Sequence, residues 1–361
     1  RREFLKQALT GTAALSLGGL MPGLSNKSYG SVLGANDKIR VGAIGVNSRG
    51  MALATNFAMQ PGCEVVHICD VDSRALAKCA DAVEKIQNNK VRRDRDLRKM
   101  LESPEMDLVL IATPDHWHAP AALMAMQAGK DVYLEKPCSY APHEGEMLIQ
   151  GAAKYRRLLQ MGNQRRSWPN VIKAIEEIKS GTIGKVRYAK SWYVNNRPSI
   201  GTGKVVPVPD YLDWDLWQGP APRVPNFKDN YVHYNWHWFW NWGTGEALNN
   251  GTHFVDILRW GLGVDYPTKV DSVGGRYRFQ DDWQTPDTQL ITFQFGDEAS
   301  CSWEGRSCNS TPVDGYGVGT AFYGETGTLF ISGGNEYKIT DLQGKVIKDV
   351  KSNLKFETGN L

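Results

Sequence analysis

The sequence predicts an α/β protein of two domains, a parallel-sheet domain followed by an α+β domain. Three observations predict it. Residues 38–160 alternate short, continuous apolar runs with helical patterns, as buried parallel strands joined by crossover helices do. Within residues 161–361 come period-2 or aromatic-rich segments separated by turn residues, which suit an antiparallel sheet with one buried face. The chain is 361 residues long, with 41% hydrophobic and 22% charged residues. That composition is ordinary for a globular protein, and the length suits about two domains.

Ile39, Val41, Ala43, Ile44 and Val46 make the first buried strand. Gly45-Val46-Asn47-Ser48-Arg49-Gly50 follows and leads into a helical run, 51–59. This is the G-x-G-x-x-G layout with Asn47 in the middle glycine's place. Gly45 permits the tight turn and Gly50 the close helix–strand packing. The helix start, with Ser48 and Arg49, offers N–H groups and a positive dipole end to a pyrophosphate. Asn tolerates left-handed backbone better than most residues. The next strand ends at Asp70, 20 residues after Gly50, where a carboxylate accepts from the adenine ribose hydroxyls. Val71 comes next, which favours NAD; Arg74 is near enough to leave NADP open. Together these features predict an N-terminal Rossmann dinucleotide-binding domain.

A third strand, within 106–113, runs into Thr113-Pro114-Asp115-His116-Trp117-His118. A helix is expected over 119–128, then a strand over 131–134 that ends in Glu135-Lys136-Pro137. Ligands of open α/β sheets bind beyond the carboxyl ends of the strands. That places Thr113, Pro114, His116, His118, Glu135 and Lys136 at the cofactor site.

These motifs, in this order, resemble the Gfo/Idh/MocA oxidoreductases, named for glucose–fructose oxidoreductase and inositol dehydrogenase. The resemblance covers residues 38 to about 340 and is most specific at Glu135-Lys136-Pro137. It implies a C-terminal domain built on a large open, mostly antiparallel sheet, through which members often form homo-oligomers. It implies NAD or NADP as cofactor and a small carbohydrate as substrate.

Lys136, at the sheet edge, can donate to a substrate oxygen and stabilise charge developing there. Burial would lower its pKa and suit it to proton traffic. The plainer alternative is a surface ion pair with Glu135. In the second half, Gln164 and Arg165 follow a strand pattern near the domain crossover and are candidate substrate contacts. Asn249, His253 and Asp256 stand at i, i+4 and i+7, one face of a single helix. His253 can take a hydroxyl proton, and Asn249 or Asp256 can orient its ring. The resemblance implies a catalytic trio of Lys, Asp and His, with Asn249 at the Asp position. An amide cannot support an imidazolium as a carboxylate does.

Tryptophan is abundant, 12 residues, 11 of them from Trp168 onward. Trp236, Trp238, Trp240 and Trp242 recur every second residue and would share one strand face. Such a face is either a sugar-stacking platform or packing in a core or subunit interface. Alternation argues against the helix that His233 and His237 would need to chelate a metal, so no metal site is expected. The six cysteines form no C-x-x-C pair. Cys63 and Cys69 read as core residues, and Cys301 and Cys308 could pair.

Net charge is +3, of which +2 falls in residues 1–37. No nucleic-acid partner is indicated, and Val91-Arg92-Arg93-Asp94-Arg95-Asp96 reads as solvated surface. Arg1-Arg2-Glu3-Phe4-Leu5-Lys6, with the diluted apolar stretch 8–24, resembles a twin-arginine export signal. It is too short and glycine-rich for a membrane span. Residues 1–37 are therefore expected to be signal and linker, 38–160 the cofactor domain and 161–361 the substrate and oligomerisation domain. The chain is expected to be clipped at both ends. An extracytoplasmic, periplasmic location follows. So does a cofactor loaded before export and retained through a redox-neutral cycle, either hydride shuttling between sugars or transient oxidation with glycosidic elimination. A non-catalytic sugar-binding protein is the third alternative; intact Lys136 and His253 argue against it.

Overall fold

The computed structural model describes residues 38–352; the expected export signal, in residues 1–37, lies outside the described residues. Six strands, β1 (Ile39–Ile44), β2 (Cys63–Cys69), β3 (Arg92–Asp94), β4 (Leu108–Ile111), β5 (Asp131–Leu134) and β6 (Leu159–Met161), form one sheet. Their order is β3-β2-β1-β4-β5-β6 and every pair is parallel. This is the doubly wound Rossmann order, with its switch point between β1 and β4. Helices α1 (Arg49–Ala58), α2 (Ser73–Gln87), α3 (Leu97–Leu101), α4 (Asp115–Gln127) and α5 (Pro142–Tyr155) flank it. One core cluster holds Val41, Ala43, Ile68 and Val83; another holds Ile44, Ile111, Met126 and Leu134. Continuous apolar strands are required because both faces are covered.

One local expectation changes, and the exposed basic run takes on structure. Helix α4 begins at Asp115, not 119, because Pro114 supplies the extended N-cap geometry and Asp115 an acid in the first turn. His116 and His118 therefore ride a helix. The basic run at Arg92 forms the edge strand β3, where Arg93 reaches Asp81 and Glu84 at 2.8 and 3.0 Å. Charged side chains suit a sheet edge.

The second domain contains α6 (Pro169–Lys179), β7 (Val186–Val194), α7 (Trp214–Gln218), α8 (Gly245–Asn249) and α9 (Gly251–Leu262). Seven strands follow: β8 (Lys269–Gly275), β9 (Thr288–Phe295), β10 (Ala299–Arg306), β11 (Val318–Gly324), β12 (Gly327–Ser332), β13 (Tyr337–Asp341) and β14 (Val346–Val350). The eight-stranded sheet has the order β14-β13-β12-β11-β7-β10-β9-β8. All its pairs are antiparallel except β7 with β10. Helices α6 and α9 cover one face, burying Ile175, Ile257, Cys301, Phe322 and Leu329. Cys301 lies in that core, and all six cysteines are free. Cys69 is buried, while Cys63 is only half-buried.

The tryptophan ladder is not a strand. Trp236 and Trp238 lie in a 3₁₀ turn, Asn235–Trp238; Trp238 and Trp242 are buried, and Trp240 is 51% exposed. Trp238 stacks on Trp283 at 4.0 Å, and Trp242 packs against Trp214, Trp217 and Tyr231 at 5.5, 5.1 and 4.8 Å, centroid to centroid. The Trp242 cluster packs against Val71 of the first domain. The Ser73 N–H donates to Tyr211 O at 2.9 Å and the Asp213 N–H to Val71 O at 3.0 Å. A strap from the second domain thus lies along the turn between β2 and α2.

Candidate active site

The two domains and the strap enclose a cleft of about 860 Å³, which is lined from Gly45 and Asp70 at one end to Arg165 and His253 at the other.

On the first-domain side, Gly45 has φ +77° and a Cβ there would lie 2.7 Å from Thr113 N. At Gly50 a Cβ would lie 2.0 Å from Gly45 O, so only glycine lets α1 approach β1 this closely. Asn47 and Ser48 are exposed, and Ser48 makes no side-chain cap to α1. Asp70 receives the Val46 N–H at 2.6 Å and the Asp72 N–H at 2.9 Å, so it shapes the glycine loop as well as lining the cleft. Burial raises its pKa to about 6 against the pull of those two N–H groups.

Lys136 and Glu135 are not an ion pair. Glu135 takes Arg49 Nε at 2.8 Å and the Lys136 N–H at 3.1 Å. Lys136 Nζ crosses to the second domain and donates to Asn249 O at 2.7 Å and Asn249 Oδ1 at 3.1 Å. An ammonium has three donors, so one remains for a substrate oxygen. Desolvation pulls the Lys136 pKa below the usual lysine value, opposed by Asp115, Glu135 and Glu246. Asp115 is buried and takes the Thr244 hydroxyl at 2.6 Å; burial raises its pKa.

The helix expected to carry Asn249, His253 and Asp256 breaks at Asn250 into α8 and α9. Asn249 and His253 still line the cleft. Asp256 does not: it pairs with Arg166 at 2.7 Å. The residue beside the His253 ring is Asn163, whose Oδ1 is 3.3 Å from Nδ1. With the proton on Nδ1 donated to that amide, Nε2 is left as the acceptor. Burial, then the charges of Lys136, Arg165 and Arg49, hold the His253 pKa well below the usual histidine value. His253 is thus a neutral base at pH 7.

Two other expectations need correction. His116 does not line the cleft; it is buried with ring nitrogens 3.0 Å from Trp217 O and 3.4 Å from Trp242 O, tying strap to helix. Burial lowers its pKa to about 4. Gly50 acts by packing and does not line the cleft. His118 lies between the carbonyls of Pro137 and Thr113, and Thr113 and Pro114 line the cleft. Of the four alternating tryptophans only Trp236 lines it, stacked on His237 with centroids 3.6 Å apart. His233 is 2.8 Å from Asp72, and among the described residues no cluster of His, Cys, Asp or Glu could hold a metal.

Comparison with known proteins fits this layout. Residues 39–163 match the model of an oxidoreductase family with an NAD-binding Rossmann fold. Residues 190–318 match the C-terminal alpha/beta domain of that oxidoreductase family. The chain belongs to the Gfo/Idh/MocA family.

Among curated relatives, the glycosyl hydrolase family 109 protein 2 of Shewanella sp. (strain ANA-3) is 29% identical over 209 residues, covering 54% of this chain and 46% of the relative. The glycosyl hydrolase family 109 protein of Saccharopolyspora erythraea is 28% identical over 211 residues, with the same coverages of 54% and 46%. The chain thus spans about half the length of the curated relatives it matches. Two solved structures share the fold. Levoglucosan dehydrogenase with NADH and levoglucosan has TM-score 0.67 and 18% identity over 86% of this chain and 78% of that one. The WlbA dehydrogenase of Bordetella pertussis with NADH and UDP-GlcNAcA has TM-score 0.64 and 20% identity over 88% and 84%.

The first-domain wall of this Gfo/Idh/MocA cleft fits NAD. Gly45 and Gly50 leave a cradle that a Cβ would fill, α1 presents its N-terminus, and Asp70 stands at the ribose position. Arg74, the residue that left NADP open, pairs with Asp72 at 3.2 Å and its guanidinium lies 3.2 Å from the Tyr211 ring centroid. Other residues in and around the site carry weak sequence signals. Asn163, which reaches the site through His253, stands between strand β6 and Gln164. Arg95, in the run read as solvated surface, lines the cleft. The Arg197–Glu246 pair, Nε to Oε2 2.6 Å, joins residues 49 apart and has no local signature.

Proposed function

We propose that this protein is an NAD-dependent oxidoreductase acting on a CH–OH group of a carbohydrate. The observation that carries this is the convergence of Lys136 and His253 on one cleft whose other end is the glycine cradle. Bound NAD would supply the hydride acceptor. His253 Nε2 takes the hydroxyl proton, with Asn163 holding the ring. Lys136, aimed by Asn249, donates its remaining N–H to the same oxygen and stabilises the charge that develops there. Trp236 offers an aromatic face to the sugar.

A redox-neutral variant, transient oxidation followed by elimination of a glycosidic group, is favoured by one pairing of observations. Asn249 stands where the family trio has Asp, and the curated relatives are named glycosyl hydrolases. Export through the twin-arginine-type N-terminus, retention of cofactor through turnover, and self-association across the uncovered sheet face, where Val273 and Leu290 are exposed, belong to the same reading.

The test is denaturation of natively purified protein with mass spectrometry of what is released, followed by a sugar and glycoside panel monitored at the nicotinamide absorbance. Release of NAD(H) and sugar-dependent absorbance change are expected. Protein that neither carries nor binds NAD(H) would sink the reading.

A further inference from the structure

At the substrate end of the cleft, Arg165 has no anionic partner among the described residues. Arg165 follows β6 in the 3₁₀ turn Gln164–Ser167, on the substrate side. Nη1 donates to Gly333 O at 2.8 Å, and Nε is buried without a partner. Its guanidinium is held between the rings of Trp168 and Phe254, 4.9 and 4.6 Å from their centroids. Burial pushes its pKa down to about 10, with no carboxylate in opposition.

The other arginines lining the cleft are accounted for. Arg49 pairs with Glu135, Arg98 with Asp96 and Arg197 with Glu246. Arg95, at the Asp70 end, also lacks a carboxylate, but it is exposed to solvent and donates to Val71 O and Tyr211 O. Lys136 gives two donors to Asn249 and keeps the third for the reacting oxygen. Beside Arg165, Gln164 Oε1 is a second buried polar atom without a partner. A guanidinium stays charged at neutral pH, and taking it out of water unpaired is unfavourable. Ring faces offset part of that cost. A ligand anion would offset the rest.

We propose that Arg165 receives an anionic substituent of the substrate, so that the protein takes an acidic sugar, carrying carboxylate or phosphate, in preference to its neutral counterpart. The inference rests on the carbohydrate reading of the cleft and adds the charge of the substrate. Arg165 positions the acid, Gln164 accepts from a neighbouring hydroxyl, and the reacting hydroxyl lies at Lys136 and His253.

The test uses the protein with its own cofactor and three probes: a methyl hexoside, the matching uronate and the matching 6-phosphate. Binding is read by calorimetry and by the fluorescence of tryptophan, of which Trp168 is beside Arg165. At least one anionic probe should bind about tenfold tighter than the neutral one, with the preference shrinking in high salt. The uronate and phosphate arms show which anion is preferred. Arg165→Gln should bring the anionic probe down to the neutral level, and Arg165→Lys should keep part of the preference. Equal binding of neutral and anionic probes by the unaltered protein overturns the proposal, as does a preference that survives in Arg165→Gln. If Arg165→Gln fails to fold, the matched probes and their salt dependence decide on the unaltered protein. Arg165-dependent anion binding without hydride transfer would uphold this inference and overturn the oxidoreductase reading. Turnover of neutral sugars alone would do the reverse.

Discussion

The cofactor wall and the substrate wall of one cleft are assembled differently. The cofactor wall is mostly backbone: a glycine loop, a helix N-terminus and one carboxylate from residues 45–70, with Thr113 and Pro114 beside them. The substrate wall is side chains from distant segments: Lys136 after β5, Gln164 and Arg165 after β6, Arg197 after β7, Asn249 at the end of α8 and His253 in α9. A backbone cradle tolerates many side chains but few changes of φ or Cβ. A side-chain constellation tolerates backbone variation but not the loss of one functional group.

The largest expected effect tests the substrate wall. Lys136→Ala or His253→Ala should lower turnover by about 10³-fold, roughly 4 kcal/mol of transition-state stabilisation. His253→Ala should keep its NAD. Loss of NAD in step with activity would show that the two walls do not act separately.

The next effect reads, by pH, the titrating groups buried at the two walls and beneath them. His116 titrates near 4 when folded, against roughly 6.5 for an unfolded imidazole. Between those values the unfolded chain binds more protons, so stability falls as pH falls, by up to about 3 kcal/mol. His253 acts in the same direction. Asp70 opposes them, because its folded pKa of about 6 is raised and the folded state gains protons first. Urea unfolding should show stability declining from pH 6.5 to 4.5, more steeply in Asp70→Asn. A flat profile in both proteins would contradict these assignments.

The smallest effect falls on the cofactor wall. Gly50→Ala sets a Cβ against Gly45 O and should cost about 1–3 kcal/mol through overpacking, with NAD content falling. Thermal unfolding and NAD released per chain measure it. Unchanged NAD content would mean that the cradle is not what holds the cofactor.

Most of the cofactor wall was legible in sequence because its chemistry is contiguous. A glycine turn, a following helix and an acid at the next strand end are read in one pass, and Glu135-Lys136 follows a continuous apolar strand. His116 misled because Pro114 starts α4 early and turns that ring into the strap. The central strand β7 escaped because Arg187 and Lys190 interrupt its apolar pattern. The tryptophan alternation misled because four rings at every second residue fit a strand as well as a turn, and only packing against Trp214 and Tyr231 chose the turn. Asp256 gave way to Asn163 as the partner of His253 because Arg166 captures both oxygens of the carboxylate.

The residues alone determined the doubly wound domain, the glycine cradle with Asp70, and Lys136 and His253 as cleft residues. Each of these depends on local periodicity or on a backbone conformation that few residues allow. Tertiary structure alone decided which charges are paired. A net charge near zero outside residues 1–37 suggested no anionic partner. Folding sets Glu135 against Arg49 and Glu246 against Arg197, and leaves Arg165 between two rings with no carboxylate. Net charge sums over the chain, whereas the cost of an unpaired ion depends on its own surroundings.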